Sequence, residues 1–408
     1  MKPTFIIATL ICMHYAASGQ RDSLRSYYQQ SIAAYEAKHY DGFLFFTQKA
    51  NDLRPNHPAI TYNLAAAYAL TKQPKAAIAT LKHHLTMNAS LNYHQDEDFK
   101  SLHQRSDFLD LETFVNELNL RISNSKTIHK LDQSQHHIES ITSLPSGDLL
   151  LGSVNSRRLF IADKKSMSPV FDHAKLYSVM GMDATQNILW VVSAALPEMN
   201  RYEEQLKNQS SVFGLNPQNF EVIFQYEVPN ALLGDVIAYQ EGTALATDGL
   251  NNAVYELSST GATKRFDFSN ELYNLQGLAI DGNHLYLADY ITGLYHVDLS
   301  TEQVRPVKSM GWYADKGIDG LVYHAGKLIA FQNGTTPKRA LQITLSQAEV
   351  IHAETLDQSL YPLGEPTQGV LVNDQILYIS NSAWDAYTDS NYTPDPDRKL
   401  HLRAIKLK

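Results

Sequence analysis

The chain has 408 residues, of which 44% are hydrophobic and 19% charged, a balance that fits folded domains and excludes a disordered polymer. Acidic residues outnumber basic ones 43 to 34, the formal charge is −9, and no Lys/Arg-rich run occurs, which argues against nucleic acid as the main partner. At roughly 100–200 residues per domain the length predicts two or three domains, and an excess of tyrosine (23) over phenylalanine (15) suits a strand-rich chain.

Residues 1–19 read as a secretory signal. Lys2 gives a short positive end, Phe5 to Met13 is apolar, and Ala16-Ala17-Ser18-Gly19 is a small-residue stretch before Gln20. The alternative is a buried first helix. The only cysteine, Cys12, lies in this run behind Ile11, where a lipid anchor wants a small residue. The mature chain would then lack disulfide and thiol chemistry. No later stretch is apolar enough for a membrane span. The expected product is exported, periplasmic or extracellular.

Residues 20–125 read as a helical domain: between Ser23 and Leu85 the apolar residues recur at three and four, a helical period. A shift of 34 residues lays Ala37-Lys38-His39-Tyr40 over Thr71-Lys72-Gln73-Pro74, Gly42 over Ala76 and Leu44 over Ile78. Arg54-Pro55-Asn56-His57-Pro58 ends one helix and starts the next. The segment resembles tetratricopeptide (TPR) repeats: about two helix–turn–helix units with a degenerate tail around Asp98–Leu111. The alternative is a generic helical bundle. A stack this short is expected to lean on the next domain, and to hold a protein or peptide partner or act as a spacer.

Residues 126–408 carry a recurring block of apolar strand, Gly/Asp/Asn turn and second apolar strand. Copies start at Glu139, Gly181, Gly234, Gln276, Asp319 and Gln368, spaced by 42 to 53 residues. This predicts an all-β six-bladed propeller. The last copy offers three strands, so 127–131 is expected to pair with 400–407 and close the ring. A sandwich plus a small domain is the alternative.

Inner-strand ends meet near a propeller axis. One expected ring holds Glu139, Asp183, Asp235, Gln276, Asp319 and Gln368. A second holds Ser153, Asn155, Ser193, Asp248, Asp289, Gln332, Asn333 and Asn381. Oxygen-rich positions without histidine or cysteine suit a divalent cation: calcium first, magnesium or manganese otherwise. Carboxylates brought together need a cation, a shared proton or hydrogen bonds; alternatively these residues only bond backbone, and Asp248 and Asp289 tie blades together. His173, His284, His296 and His324 read as surface histidines. Trp384 caps the channel or seals a blade core. The long stretches Ser193–Gln209 and Asp385–Arg398 read as loops beside the axis, either a lid or packing surfaces.

The phrases Glu139-Ser-Ile, Gly234-Asp-Val, Leu275-Gln-Gly-Leu, Tyr286-Leu-Ala-Asp and Ile318-Asp-Gly-Leu resemble the gluconolactonase, senescence-marker-protein and paraoxonase group of six-bladed propellers, from Glu139 to about Ile405. The resemblance implies an axial divalent metal that polarises a lactone or ester carbonyl and activates water. Glu139 matches the family's glutamate and Asp319 its aspartate. Gln276 and Gly234 fall where asparagines are expected, with Asp235 beside Gly234 as a shifted substitute. Metal ligands are thus expected at Glu139, Gln276, Asp319 and Asp235, with Asp289 as candidate general base and Asp235 as a second acid–base candidate. Two readings follow. One is an exported, non-catalytic binding or scaffold protein of the cell envelope. The other is a divalent-metal-dependent lactonase or esterase taking a lactone, ester or sugar-like ligand in the funnel.

Overall fold

The computed structural model describes residues 16–132, 136–346, 348–360, 364–382, 384–386 and 399–407. The expected leader therefore lies outside the described residues up to Tyr15, and the Asp385–Arg398 insertion does so over 387–398. Among the described residues, no helix is long and apolar enough to cross a membrane.

Five α-helices come first: α1 (Ala16–Glu36), α2 (Tyr40–Leu53), α3 (Pro58–Leu70), α4 (Pro74–Met87) and α5 (Ser106–Leu118). Proline opens α3 and α4, where its missing N–H costs nothing. The turns before α2, α3 and α4 each contain a left-handed residue: Lys38, Asn56 and Lys72. Alanine at 65, 66, 67 and 69 lets α3 sit deep in the bundle, against Leu81, Leu85 and Phe99. This core draws on helical-region residues alone.

Six sheets follow. The linker forms β1 (Ile122–Ser123) and β2 (Ser125–Asp132). Blade one is β3 (Ile138–Ser143), β4 (Leu149–Ser153), β5 (Arg158–Ala162) and β6 (Met167–Asp172). Blade two is β7 (Ser178–Ala184), β8 (Leu189–Ala194), β9 (Gln209–Leu215) and β10 (Val222–Pro229). Blade three is β11 (Leu233–Ala238), β12 (Ala244–Asp248), β13 (Ala253–Ser258) and β14 (Gly261–Asp267). Blade four is β15 (Leu275–Asp281), β16 (His284–Asp289), β17 (Gly293–Asp298) and β18 (Gln303–Val307). Blade five is β19 (Ile318–His324), β20 (Lys327–Gln332), β21 (Arg339–Ser346) and β22 (Glu349–Gln358). Blade six takes β23 (Gly369–Val372), β24 (Gln375–Ile379) and β25 (Lys399–Lys406), with β2 as its outer strand.

Two pairings tie the start of the sheet region to its end. β2 runs antiparallel to β25 with Leu131 opposite Leu400, and β1 adds to the outer edge of blade five beside β22. The second strands β4, β8 and β12 are buried along their whole length, because each is covered by both neighbouring blades. One apolar cluster fills each junction between neighbours. At the closing junction Leu131, Ile379, Leu400 and Leu402 of blade six meet Ile138, Ile141 and Leu151 of blade one. Burial of each such side chain is worth about 1.5–3 kcal/mol, so the junctions hold the ring together.

The helical region docks on the propeller through polar groups. Thr336 donates to Met87 O and accepts from Ala89 N, over 2.9 and 2.8 Å. Arg339, fully buried, donates to Thr86 O at the C-terminal end of α4, to Gln332 Oε1 and to Gln358 Oε1. Asn56 Nδ2 donates to Ile291 O and Tyr273 Oη to Leu53 O. A cationic guanidinium at the negative end of α4 is electrostatically favourable.

Candidate functional site

The inner strands of blades one to five share a defect. Their antiparallel register slips between Ile138 and Ser140, Val179 and Gly181, Leu233 and Val236, Leu275 and Leu278, and Ile318 and Leu321. The skipped residues are Glu139, Met180, Gly234-Asp235, Gln276-Gly277 and Asp319-Gly320. A β-bulge frees a residue from the ladder and re-aims it. All these skipped residues, together with Gln368 just before β23, line one axial cavity.

The residue after each axial position must be small. A Cβ on Gly277 would lie 2.3 Å from Asp319 O, and one on Gly320 2.1 Å from Thr367 O. Blades thus touch backbone to backbone at the axis. Blade three departs from this pattern, with Gly234 axial and Asp235 second. Asp235 lines the cavity but its carboxylate is engaged: Oδ1 accepts from Val236 N over 2.9 Å and Oδ2 from Leu278 N of blade four over 3.3 Å. Asp183 makes the equivalent tie between blades two and three, accepting from Ala238 N over 2.8 Å. Met180, not Asp183, is the cavity residue of blade two, contrary to the ring expected from the sequence.

Four other axial side chains each use only half of their polar capacity. Glu139, with a side chain 5% exposed, accepts at Oε2 from Ser382 Oγ and from Trp384 Nε1 at 2.9 Å, with His137 Nε2 3.8 Å away. Asp319 accepts at Oδ2 from Asn333 Nδ2 over 2.6 Å, and Asn333 accepts in turn from the Tyr290 hydroxyl over 2.8 Å. Gln276 Nε2 donates to Asn274 Oδ1 at 2.9 Å. Gln368 Nε2 reaches from blade six to Met180 O of blade two at 2.7 Å. Glu139 Oε1, Asp319 Oδ1, Gln276 Oε1 and Gln368 Oε1 are left without a donor among the described residues. No lysine or arginine lines the cavity.

Burial pushes the Glu139 carboxyl well above its ordinary range, and the Asp319 charge adds to it. Asp319 is raised for the same reason, with Asn333 opposing. Desolvation lifts Asp235 to about 7 and Asp183 to about 6. Carboxylates held this way take up either a proton or a cation.

Asp289 is placed elsewhere. It is fully buried and is not among the cavity residues. Oδ1 accepts from Ile291 N, Thr292 N and Thr292 Oγ1, and Oδ2 from Tyr273 N and Asn274 N. Both oxygens are occupied by donors, so Asp289 braces the loops around blade four instead of facing the funnel as a base. Asp248 does the same in blade three, through Leu232 N, Leu250 N and Asn251 N. Of the expected second ring, Asn333 reaches an axial carboxylate. His296 is 5% exposed and hydrogen-bonds His284 at 2.9 Å, so it is not a surface residue. Trp384 seals Glu139 at the axis. The stretch between β8 and β9 packs Met199 on Tyr177 and Ala195 and contributes nothing to the cavity lining.

The arrangement offers two carboxylate and two amide oxygens to one small space. Its volume of about 20 Å³ for water centres holds one or two waters, or a single ion. No three His, Cys, Asp or Glu groups among the described residues are arranged to hold a metal by themselves, so a cation at the axis draws on the amides. Gln368, expected in the ring but not among the metal ligands, lines the same cavity. Its signal was Gln368-Gly369, which repeats Gln276-Gly277 one blade pair on.

No family model matches the chain, and no curated protein matches it. Among solved structures, the chain is similar to the PQQ-bound aldose sugar dehydrogenase of Streptomyces coelicolor, at 11% identity over 68% of this chain and 96% of that one, TM-score 0.45. It is similar to virginiamycin B lyase of Staphylococcus aureus, at 10% identity over 66% and 80%, TM-score 0.45. It is also similar to a chain of a nidogen/laminin complex, at 14% identity over 62% and 95%, TM-score 0.44.

Proposed function

We propose that the chain is an exported binding or scaffold protein whose propeller axis holds one divalent cation, calcium ahead of magnesium or manganese. The carrying observation is the convergence of Glu139, Asp319, Gln276 and Gln368 on a one-ion cavity, each with an acceptor oxygen that lacks a donor among the described residues. Calcium takes six to eight oxygen ligands, amide carbonyls and waters included. Bound there, it supplies the positive charge that the ring does not provide. The helical region supplies the recognition surface. Its TPR-like reading is supported by Lys38 and Lys72, 34 residues apart, taking the same left-handed turn.

A second reading, a divalent-metal-dependent lactonase or esterase, is favoured by Glu139 and Asp319 sharing one cavity at the family's glutamate and aspartate positions. In it the cation polarises a carbonyl and activates water. Asp289, the base expected for this reading, is held by five donors outside the cavity, so the binding reading stands first.

The test is paired. Protein dialysed against calcium, then against buffer, is assayed for metal content. The same samples are assayed for hydrolysis of simple lactones and aryl esters. The proposal expects about one ion per chain and no turnover above buffer; ion-dependent turnover moves the protein to the second reading.

A further inference from the structure

The seam between the helical region and the propeller is polar and holds positive charge without a counter-charge. The apolar core of the helices ends at Leu118 and takes nothing from the blades. Hydrogen bonds across the seam end on backbone carbonyls: Leu53 O, Thr86 O, Met87 O, Leu120 O, Ile291 O and Thr336 O. The seat is the axial end of blades four and five. Tyr273 precedes β15, Ile291 follows β16, Lys316 precedes β19 and Thr336 follows β20, the same ends at which Gln276 and Asp319 line the cavity.

Two cations are buried at this seat: Arg339, 0% exposed, and Lys316, 8% exposed. Gln332 joins them. Its Oε1 accepts from Arg339 Nη1 over 3.1 Å, and its Nε2 donates to Lys316 O over 2.7 Å. Lys316 Nζ donates to Gly334 O over 3.2 Å and lies 5.9 Å from the centre of the Tyr290 ring. Gly334 is two residues from Thr336, which Met87 and Ala89 clamp. Arg339 Nη2 is buried without a hydrogen-bond partner. The other buried lysine or arginine among the described residues, Arg403, has Asp357 at 3.9 Å. Arg339 and Lys316 bond to carbonyl and amide oxygens instead. Burial holds His57 and His84 down to about 4, and the Lys316 charge acts on both from across the seam. A buried charge without a carboxylate partner is costly, and contact with water relieves it.

We propose that the helical region is a releasable cover over the axial end of blades four and five, held loosely because docking buries Arg339 and Lys316 without a counter-charge. Undocking returns both cations to water and uncovers the loops around Gln276 and Asp319. The released helices stay tethered, because β1 is paired with β22 and only residues 119–121 separate it from α5. Their local concentration at the seat therefore remains high, and the cover closes again. The two cations differ in role. Arg339 places α4 through its hydrogen bonds, whereas Lys316, with a single bond to a carbonyl, contributes mainly charge. The cover opens and closes with or without an ion at the axis.

Hydrogen exchange on the full chain reads the seam directly, because Thr336 N donates to Met87 O and Ala89 N donates to Thr336 O. Local opening frees both amides while the blades stay folded. The two should exchange at a common rate, about 100-fold or more faster than the amides of the fully buried strand β8. Lys316→Met removes the charge and keeps the aliphatic bulk; Lys316→Gln also keeps a donor for Gly334 O and serves should the first variant fail to fold. Each should slow exchange at Ala89 and Thr336 by about tenfold or more, with melting curves verifying the fold. Exchange that is unchanged or faster in the folded variants overturns the role of the buried charge. Seam amides that exchange as slowly as those of β8 in the unaltered protein overturn the cover itself.

Discussion

Asn333 donates from Nδ2 to Asp319 Oδ2 over 2.6 Å, and three residues further on the same loop Thr336 pairs with Met87 and Ala89. One short loop between β20 and β21 therefore touches the axial carboxylate at one end and the helical region at the other. Replacing Asn333 by alanine leaves Asp319 Oδ2 without its donor and Tyr290 without its acceptor. Hydrogen bonds to charged groups are worth about 1.5–3 kcal/mol. Chemical denaturation should show a loss of that size, with the strand content of the circular dichroism spectrum retained. An unchanged midpoint would mean that water replaces both bonds.

The carboxylates make stability depend on pH in an unusual direction. Asp183, raised to about 6, and Asp235, raised to about 7, keep protons that unfolded carboxylates release near pH 4. The folded chain binds more protons across that window, so the carboxylate contribution falls as pH rises from about 4 to 7 and levels off above it. Buried His57 and His84 act oppositely: held down to about 4, they stay neutral where unfolded histidine takes up a proton, and stability falls as pH drops from about 6.5 to 4. Between pH 6 and pH 8 the two effects oppose each other, so the carboxylate part is read by difference in the chelated protein. Asp183→Asn keeps an oxygen for Ala238 N and removes the titrating proton, so its melting temperature should gain on that of the unaltered protein as pH rises from 5 to 8. A constant gap between the two across that range contradicts the carboxylate account.

Gly320 is required by the blade contact and not by its backbone angle. An alanine Cβ there meets Thr367 O at 2.1 Å, and backbone cannot swing aside as a flexible side chain can. Overpacking of this kind costs about 1–3 kcal/mol or more. Gly320→Ala should lower the melting temperature and weaken cation binding, because Asp319 moves with it. Gly282→Ala, in a turn with nothing within 4 Å of the added methyl, is the control; its positive φ strains the turn but leaves the axis unaltered.

Arg339 ties α4 to blade five. Methionine there keeps the aliphatic bulk and removes the donors to Thr86 O, Gln332 and Gln358. Acceptors left buried and unpaired cost about 1–3 kcal/mol each. We expect a destabilised chain in which the helices become more susceptible to proteolysis than the propeller. Equal protection of both regions in Arg339→Met would show that the remaining seam contacts suffice.

The blade pattern was legible because its signals are local: apolar runs of strand length, Asp/Asn/Gly turns and a near-constant spacing. The residues that meet at the axis were legible only in part. Glu139, Gln276, Asp319 and Gln368 fell at the right places, yet Asp183 lies outside the cavity, and Asp235, which lines it, has both carboxylate oxygens held by backbone N–H groups. The reason is the bulge, a one- or two-residue slip in pairing register that decides whether a carboxylate faces the channel or the next blade. Nothing in a single strand's composition marks it beyond a small residue in second place. Asp289 misled for a related reason. Its position at a strand end suits a funnel-facing base, but the five donors that occupy it come from loops on both sides of the strand.

The axial cation is tested most directly by calorimetric titration of calcium into chelator-treated protein at pH 7.5, beside Asp319→Asn. The account predicts saturable binding of about one ion per chain with a raised melting temperature, and loss of both in Asp319→Asn with the fold retained. No heat and no melting shift with calcium, magnesium or manganese would contradict it, and would leave the axial carboxylates held by shared protons and hydrogen bonds alone.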